Sequence, residues 1–240
     1  MTNDAPEPVE HEETKEPAAN REPEEHEARA VDRLIFFSDA VTAIAITLLA
    51  IDLPVPAGAT VSAFWSSVRH NDLQYLAFLV SFVSIAAAWG HHHDVFQYAK
   101  RADSRLRSLT MFWLMMIVLI PFATKLLTSK GASTVAANAL GWGFYALVQV
   151  LITGALFVMR HHMIAHHLLE PGSESREGSD WDWRAYGPML GFGLSIPVFF
   201  VTPYAWALWI VLPPLVERFR RVARRDQPPW KIKIRSSNEP

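Results

Sequence analysis

The sequence predicts an all-α membrane protein with six transmembrane helices. Hydrophobic residues make up 50% of its 240 residues, and charged residues only 19%. The apolar residues form long runs, and a helix needs roughly 20 of them to cross the hydrocarbon core of a bilayer. Because a chain in lipid must satisfy its own backbone hydrogen bonds, runs of this length and continuity are predicted to be helices.

Six apolar runs are the candidate spans. They cover residues 34–53, 73–91, 107–127, 134–160, 185–202 and 203–219. Only Thr202 and Pro203 separate the last two runs, so these form either a tight hairpin or one irregular segment. Pro197, Pro213 and Pro214 make this part the least regular, because proline interrupts helical hydrogen bonding.

The charged residues divide the chain into three parts. Residues 1–30 contain ten acidic and three basic residues and no large apolar cluster, so they are predicted to be a disordered acidic tail. Residues 31–222 are the predicted six-helix transmembrane domain, and residues 223–240 are a basic tail. The chain has no cysteine, which excludes disulfides and cysteine-ligated metal sites.

Basic residues predict the orientation of the chain. They cluster in alternate connections and after the last span: Lys100, Arg101, Arg105 and Arg107; Arg160, Arg176 and Arg184; Arg218, Arg220, Arg221, Arg224, Arg225, Lys231, Lys233 and Arg235. Basic loops stay on the cytoplasmic side, so we expect a multi-pass protein of the cell membrane with both termini in the cytoplasm. The basic tail is a retention signal or a contact with anionic lipid. Membrane lipid is thus an expected partner, and nucleic acid is not.

The first span has a polar beginning, with Arg33, Ser38 and Asp39 at the start of an otherwise apolar helix. A charged residue within a span nearly always faces protein or water and pairs with another group. Asp39 points about 140° away from Ile44 at the 100° per residue of an α-helix. The face that carries Asp39 is therefore expected to contact the rest of its own subunit.

The other face of the first span is an aliphatic stripe. Ile44, Leu48 and Ile51 fall within about 60° of one another, and Thr47 borders them. Phe37 and Ala40 extend the stripe toward the cytoplasmic end. Spacing alone leaves three environments open for this stripe, namely lipid, a partner helix and a pore axis.

Three motifs resemble those of the transmembrane protein 175 family, which are potassium channels of lysosomes with shorter relatives in bacteria and archaea. Arg33-x-x-x-Phe37-Ser38-Asp39, followed by Ala43-Ile44-Ala45-Ile46-Thr47-Leu48-Leu49, resembles the first-helix signature. Trp89-x-x-His92-His93-x-x-Phe96 resembles the end of the second helix, and Pro121-Phe122-Ala123-Thr124 the end of the third. The resemblance covers about residues 33–220 and fits the single-repeat prokaryotic form.

The resemblance implies a homotetramer around a central pore lined by the first helix, with no catalytic residue, cofactor or metal. By position, Ile44, Leu48 and Ile51 would form the constriction, and Thr47 would offer a hydroxyl beside it. Such a ring of branched side chains acts as a hydrophobic gate that excludes water when narrow. Potassium ions are then the permeant species, since potassium holds its water less tightly than sodium.

The same motifs imply a polar brace behind the pore. Asp39 and Ser38 would make hydrogen bonds to polar residues on the second and third spans, and charge-assisted hydrogen bonds are stronger than neutral ones. The expected members of this structural network are Arg33, Phe37, Ser38, Asp39, Trp89, His92 and His93.

Two features of the sequence suggest functions other than a channel. Histidines occur at 91–93 and at 161, 162, 166 and 167, and such clusters can hold iron or zinc in membrane oxidoreductases. Only two groups are present, however, and no further group follows in spans five and six. Pro197 and Gly191-x-Gly193 suggest a broken helix, as in secondary transporters, but no paired counterpart occurs in the first three spans.

Overall fold

The structure, a computed structural model, describes residues 21–128, 135–169 and 187–225. These residues form seven α-helices and one 3-10 turn at Pro203–Trp206. The α-helices are α1 (Arg21–Ile51), α2 (Val61–His70), α3 (Asp72–Phe96), α4 (Ser104–Thr128), α5 (Val135–Ala165), α6 (Gly187–Val198) and α7 (Ala207–Arg225).

The prediction of six transmembrane helices is wrong. Among the described residues, four helical stretches are long and apolar enough to cross a membrane: His26–Ile51, Asp72–Phe96, Ser104–Thr128 and Asn138–Ala165. The stretch Gly187–Val198 rises only about 18 Å, against a hydrocarbon core of about 30 Å. α7 has 19 residues, but its apolar part contains two prolines and ends where Glu217 and Arg218 begin a charged stretch.

The N-terminal boundary also differs from the prediction. α1 begins at Arg21, ten residues before the predicted start of the membrane domain at residue 31. Residues 24–30 are mostly glutamate, alanine and arginine, which favour helix, so the helix of the span continues outward through them. Residues 1–20 and 226–240, which hold the remainder of the two predicted tails, lie outside the described residues.

The core lies between α1, α3, α4 and α5. α4 and α5 pair most extensively, and α1 packs on α4 and then on α3. On α4 the buried residues recur every three or four positions, as expected for a helix with one face turned inward. The largest fully buried side chains include Trp113, Tyr145, Phe96, Ile85 and Ile117.

The short helices α6 and α7 form a hairpin against the first half of α5. Phe199 at the end of α6 lies with its ring centroid 5.5 Å from that of Trp142. A Cβ atom at Gly191 would lie 3.0 Å from the carbonyl oxygen of Leu208, so a glycine favours the close approach of α6 and α7. Trp209 Nε1 donates a hydrogen bond of 2.7 Å to Ser195 Oγ and joins the same two helices. Of the two arrangements that the sequence left open here, the structure has the hairpin.

Candidate functional site

α1 has one face buried in its own chain. The buried residues of this face are Val31, Leu34, Ser38, Thr42, Ala45 and Leu49. Their spacing of three or four residues places them on one side of the helix, against α3 and α4. Small residues at several of these positions let α1 approach its neighbours closely, as is common between membrane helices.

The opposite face of α1 is exposed and apolar. Phe37, Ile44, Leu48 and Ile51 are 49%, 58%, 39% and 75% exposed. Thr47 is also exposed, and its hydroxyl donates a hydrogen bond of 2.8 Å to the carbonyl oxygen of Ile44. The four residues predicted for the constriction thus lie on one surface that the described part of the chain leaves uncovered.

Asp39 makes an interhelical hydrogen bond. Trp89 Nε1 on α3 donates to Asp39 Oδ1 at 2.8 Å. The indole of Trp89 lies beside the ring of His93, with centroids 6.1 Å apart. The structure therefore brings together Asp39, Trp89 and His93 from the predicted network, at the edge between the buried and exposed faces of α1.

Three other predicted members lie apart from this contact. Ser38 is buried, but its hydroxyl donates a 2.8 Å hydrogen bond to the carbonyl oxygen of Leu34 in its own helix. Such back-bonding satisfies a serine without a partner on another helix. Arg33 is exposed and makes no hydrogen bond or ion pair with any described residue. Phe37 belongs to the exposed stripe rather than to the polar network.

His92 is buried as an aromatic ring. It is 1% exposed and stacks between Phe96 and Trp113, with both centroid distances at 4.4 Å. Its Nε2 atom has no hydrogen-bond partner among the described residues, and neither has Trp113 Nε1. The contribution of His92 to the bundle is therefore its stacking and not a polar contact.

Sequence reasoning missed a second polar network in the middle of the bundle. Ser81 Oγ on α3 lies 2.7 Å from Thr124 Oγ1 on α4 and donates to the Tyr145 hydroxyl on α5 at 3.2 Å. Gln149 Nε2 donates to the same hydroxyl at 3.0 Å. The one available signal was Thr124, which ends the third motif. This network ties three spans together at one depth.

His162, near the end of α5, contacts the residue that precedes α4. His162 Nε2 lies 2.8 Å from Asp103 Oδ2, and the rings of His162 and His166 are 4.4 Å apart. Asp103 Oδ1 accepts a 2.7 Å hydrogen bond from the Leu106 backbone and so caps the start of α4. Within the described ranges, no group of three or more histidine, aspartate or glutamate side chains could hold a metal ion.

Asp103 lies just outside the membrane-spanning part of α4, and its carboxyl group has a shifted pKa. Burial raises the pKa of Asp103. Its hydrogen bonds with the Leu106 N–H and with His162 lower the pKa, as do the charges of His162 and His166, and together these effects exceed that of burial. The pKa of this carboxyl group therefore lies below its usual value. The ionised form of Asp103 is the form that the fold stabilises.

Further carboxylates secure the two ends of α1. Glu27 pairs with Arg101 in the connection between α3 and α4. At the other end, Lys125 Nζ of α4 lies 2.8 Å from Asp52 Oδ1. Both pairs are substantially exposed, so each is worth about 0–1 kcal/mol, and they set the position of α1 more than its stability.

Comparison with known proteins identifies the family. The profile of the family described as "Endosomal/lysosomal potassium channel TMEM175" matches residues 33–121, which include the first-helix motif. The chain is 33% identical over 175 residues to a potassium channel of Streptomyces collinus. The matched region covers 71% of this chain and 82% of the relative. This chain belongs to the TMEM175 family.

Other TMEM175 relatives are similar over comparable lengths. A potassium channel of a Chryseobacterium species is 27% identical over 172 residues, or 72% of this chain and 84% of the relative. The crystal structure of a lysosomal potassium-selective channel TMEM175 homolog from Chamaesiphon minutus superposes with a TM-score of 0.60 at 25% identity. That superposition covers 83% of this chain and 100% of the other.

Membership of the TMEM175 family confirms the family that the three motifs predict. It also confirms that the chain belongs with ion channels and not with enzymes, because the family is one of potassium channels. The oxidoreductase and secondary-transporter alternatives have no support in these relatives.

Proposed function

We propose that this chain forms a homotetrameric, potassium-selective channel that conducts passively through a pore lined by α1. The observation that carries the proposal is the exposed aliphatic stripe of α1, opposite a face that is buried in the same subunit. The relatives of this chain are named potassium channels, which supports potassium as the permeant ion.

The described centre of the bundle of α1, α3, α4 and α5 is packed with side chains. Trp113, Tyr145 and Ile117 fill the middle of the described bundle, and each is fully buried. Ions would therefore cross between copies, along a helix face that a single copy leaves open. The stripe of α1 meets this requirement, since it runs through the span without a lysine, arginine, aspartate or glutamate from Ala40 to Ile51.

The proposed constriction consists of Ile44, then Leu48 and Ile51 about one and two turns further along. Rings of branched aliphatic side chains exclude water when they are narrow, and a slight widening admits a partly dehydrated cation. The Thr47 hydroxyl donates to Ile44 O, so its oxygen lone pairs remain available to a passing cation beside the constriction.

We further propose that the protein lies in the cell membrane with both termini in the cytoplasm. The connection after α3 carries Lys100 and Arg101, and basic loops remain on the cytoplasmic side. The ion pair between Glu27 and Arg101 supports the same side for the start of α1.

The decisive experiment compares ion fluxes of wild type and Ile44→Asn in liposomes. An amide in the constriction hydrates the gate, so we expect Ile44→Asn to assemble normally but to lose most of its preference for potassium over sodium. Val118→Asn is the matched control, because Val118 is an exposed aliphatic residue of α4 outside the stripe. An unchanged permeability ratio in Ile44→Asn, with assembly verified by size-exclusion chromatography, would show that Ile44 is not the filter.

A further inference from the structure

A large cleft lies between α3 and the group formed by α5, α6 and α7. Its volume is about 820 Å³, and none of the described residues that line it belongs to α1. On α3 the lining extends from Leu73 to His91, which is about 27 Å along the helix axis and close to the thickness of the hydrocarbon core. The cleft is therefore separate from the proposed pore.

The wall of the cleft is mostly apolar. Among the described residues, no aspartate, glutamate, lysine or arginine lines it, and most of the lining residues are aliphatic or aromatic. Volumes of about 300–1,000 Å³ with apolar walls and a few polar groups are typical of small-molecule sites. Ionised molecules would lose hydration here without gaining a charge partner, so the chemistry of the wall selects uncharged ligands.

Two polar side chains in the wall have unused hydrogen-bonding capacity. Gln149 is 4% exposed, and it uses Nε2 to donate to the Tyr145 hydroxyl, while its carboxamide oxygen accepts no hydrogen bond from any described residue. The Ser84 hydroxyl makes no hydrogen bond with the described part of the chain. An unpaired polar group in an apolar region has lost its hydrogen bonds to water, so both groups favour a partner from outside the chain.

Ser84 and Gln149 lie at the same depth on neighbouring walls. Ser81 and Tyr145 lie within hydrogen-bonding distance of each other. Ser84 follows Ser81 by three residues and Gln149 follows Tyr145 by four, which is about one helical turn in each case. α3 and α5 run in the same direction, so one turn further along each helix reaches the same level. The backbones of Ser84 and Gln149 therefore lie at one level of the cleft wall.

We propose that this cleft binds an uncharged amphiphile, whose apolar body fills the cleft and whose hydroxyl group bonds to Gln149 and Ser84. A hydroxyl matches both residues, since it donates to the Gln149 carboxamide oxygen and exchanges a hydrogen bond with Ser84 Oγ. A lipid acyl tail alone would fill the apolar space but leave both polar groups unpaired. The proposal concerns a site apart from the pore and does not depend on ion conduction.

The test uses two brominated probes with the same chain, 12-bromo-1-dodecanol and 1-bromododecane. Trp142, Trp206 and Trp209 line the cleft, so a bound bromine quenches their fluorescence. With the full-length protein in lipid nanodiscs, we expect saturable quenching by the alcohol, and only weak, non-saturating quenching by the alkane. Equal quenching by the two probes would overturn the proposal, because it would indicate simple partitioning.

Two variants locate the site. Ser84→Ala removes a hydroxyl that has no partner in the described chain, and it should weaken alcohol binding about 2–10-fold without affecting folding. Ala87→Phe places a ring in the cleft and should abolish saturable quenching, whereas Val158→Phe, at an exposed position of α5 outside the cleft, should not. Unchanged binding in both cleft variants would overturn the proposal. Dissociation of the oligomer by Ala87→Phe in size-exclusion chromatography would also overturn it, since a second copy would then occupy the cleft.

Discussion

At the scale of single residues, Asp39 has a specific partner. Its carboxylate accepts the indole N–H of Trp89, a residue that comes from the next membrane helix. Because charge-assisted hydrogen bonds are stronger than neutral ones, this contact fixes the rotation of α1 relative to α3. The rotation of α1 in turn decides which side chains occupy the exposed stripe.

Removal of this carboxylate should affect folding and assembly more than ion preference. We expect Asp39→Ala to lower the free energy of unfolding by about 1–3 kcal/mol, since the Trp89 N–H loses its acceptor. Asp39→Asn keeps an acceptor oxygen, so its free energy of unfolding should fall by less than that of Asp39→Ala. Thermal unfolding and tetramer yield measure the effect on folding and assembly, and the potassium-to-sodium permeability ratio measures ion preference. Normal yield with an altered ratio would assign Asp39 to selectivity instead.

His92 should tolerate replacement by another aromatic ring. Its ring stacks between Phe96 and Trp113, and its Nε2 atom has no partner in the described chain. We therefore expect His92→Phe to be as stable as wild type within about 1 kcal/mol, and His92→Ala to lose about 3 kcal/mol through the cavity that it leaves. Denaturant unfolding of both variants measures the difference. Equal losses in the two would mean that the imidazole makes a polar contact.

At the scale of elements, the connection between α3 and α4 is joined to the end of α5. Lys100 N donates a 2.8 Å hydrogen bond to Leu168 O, and Ala99 and Leu169 form a β-bridge. The contact between Asp103 and His162 lies beside these bonds. The end of α5 therefore positions the start of α4 as well as packing along it.

This junction should weaken in acid. The pKa of Asp103 is lowered in the fold, so its contribution to stability is present above its unfolded pKa of about 4 and is lost as the pH falls through the folded pKa. Asp103→Asn keeps a good helix cap but removes the charge. We expect the stability advantage of wild type over Asp103→Asn to shrink as the pH falls below about 4. A constant difference down to pH 2 in unfolding experiments would contradict this.

The four spans and the aliphatic stripe of α1 were predictable because both depend on local pattern. Run length identifies a span, and 100° per residue groups Ile44 with Leu48 and Ile51. The prediction of six spans failed because the length of an apolar run is not the length of the helix that it forms. α6 ends at Val198, and charged residues begin in α7 after Val216.

Contacts between helices were harder to predict. An acid in a span requires a partner at its own depth, which made Trp89, His92 and His93 the candidates; the hydrogen bond of Asp39 is with Trp89. Ser38 illustrates the difficulty, because a serine hydroxyl can bond within its own helix, as this one does to the Leu34 carbonyl oxygen. The contact of Ser81 with Thr124 and Tyr145 depends on the rotation of three helices at once, which no single run of sequence specifies.

At the scale of the whole molecule, α1 is attached to its subunit at three levels. Glu27 pairs with Arg101, Asp39 bonds to Trp89, and Asp52 pairs with Lys125. A helix held at both ends and in the middle moves with its bundle. Widening of the proposed constriction would therefore require a shift of whole subunits or new rotamers in the stripe, and not a movement of α1 alone.

The orientation of the molecule can be tested by single-cysteine labelling, because the natural chain has no cysteine. Ala59 lies before α2, and Gln97 follows α3, at opposite ends of a membrane span; both are exposed. Since the basic loop after α3 is proposed to be cytoplasmic, a membrane-impermeant maleimide should label Ala59→Cys in intact cells. Gln97→Cys should be labelled only after the membrane is permeabilised. The unmodified chain is the control for background, and the reverse pattern would invert the proposed orientation and assign the start of α1 to the outside.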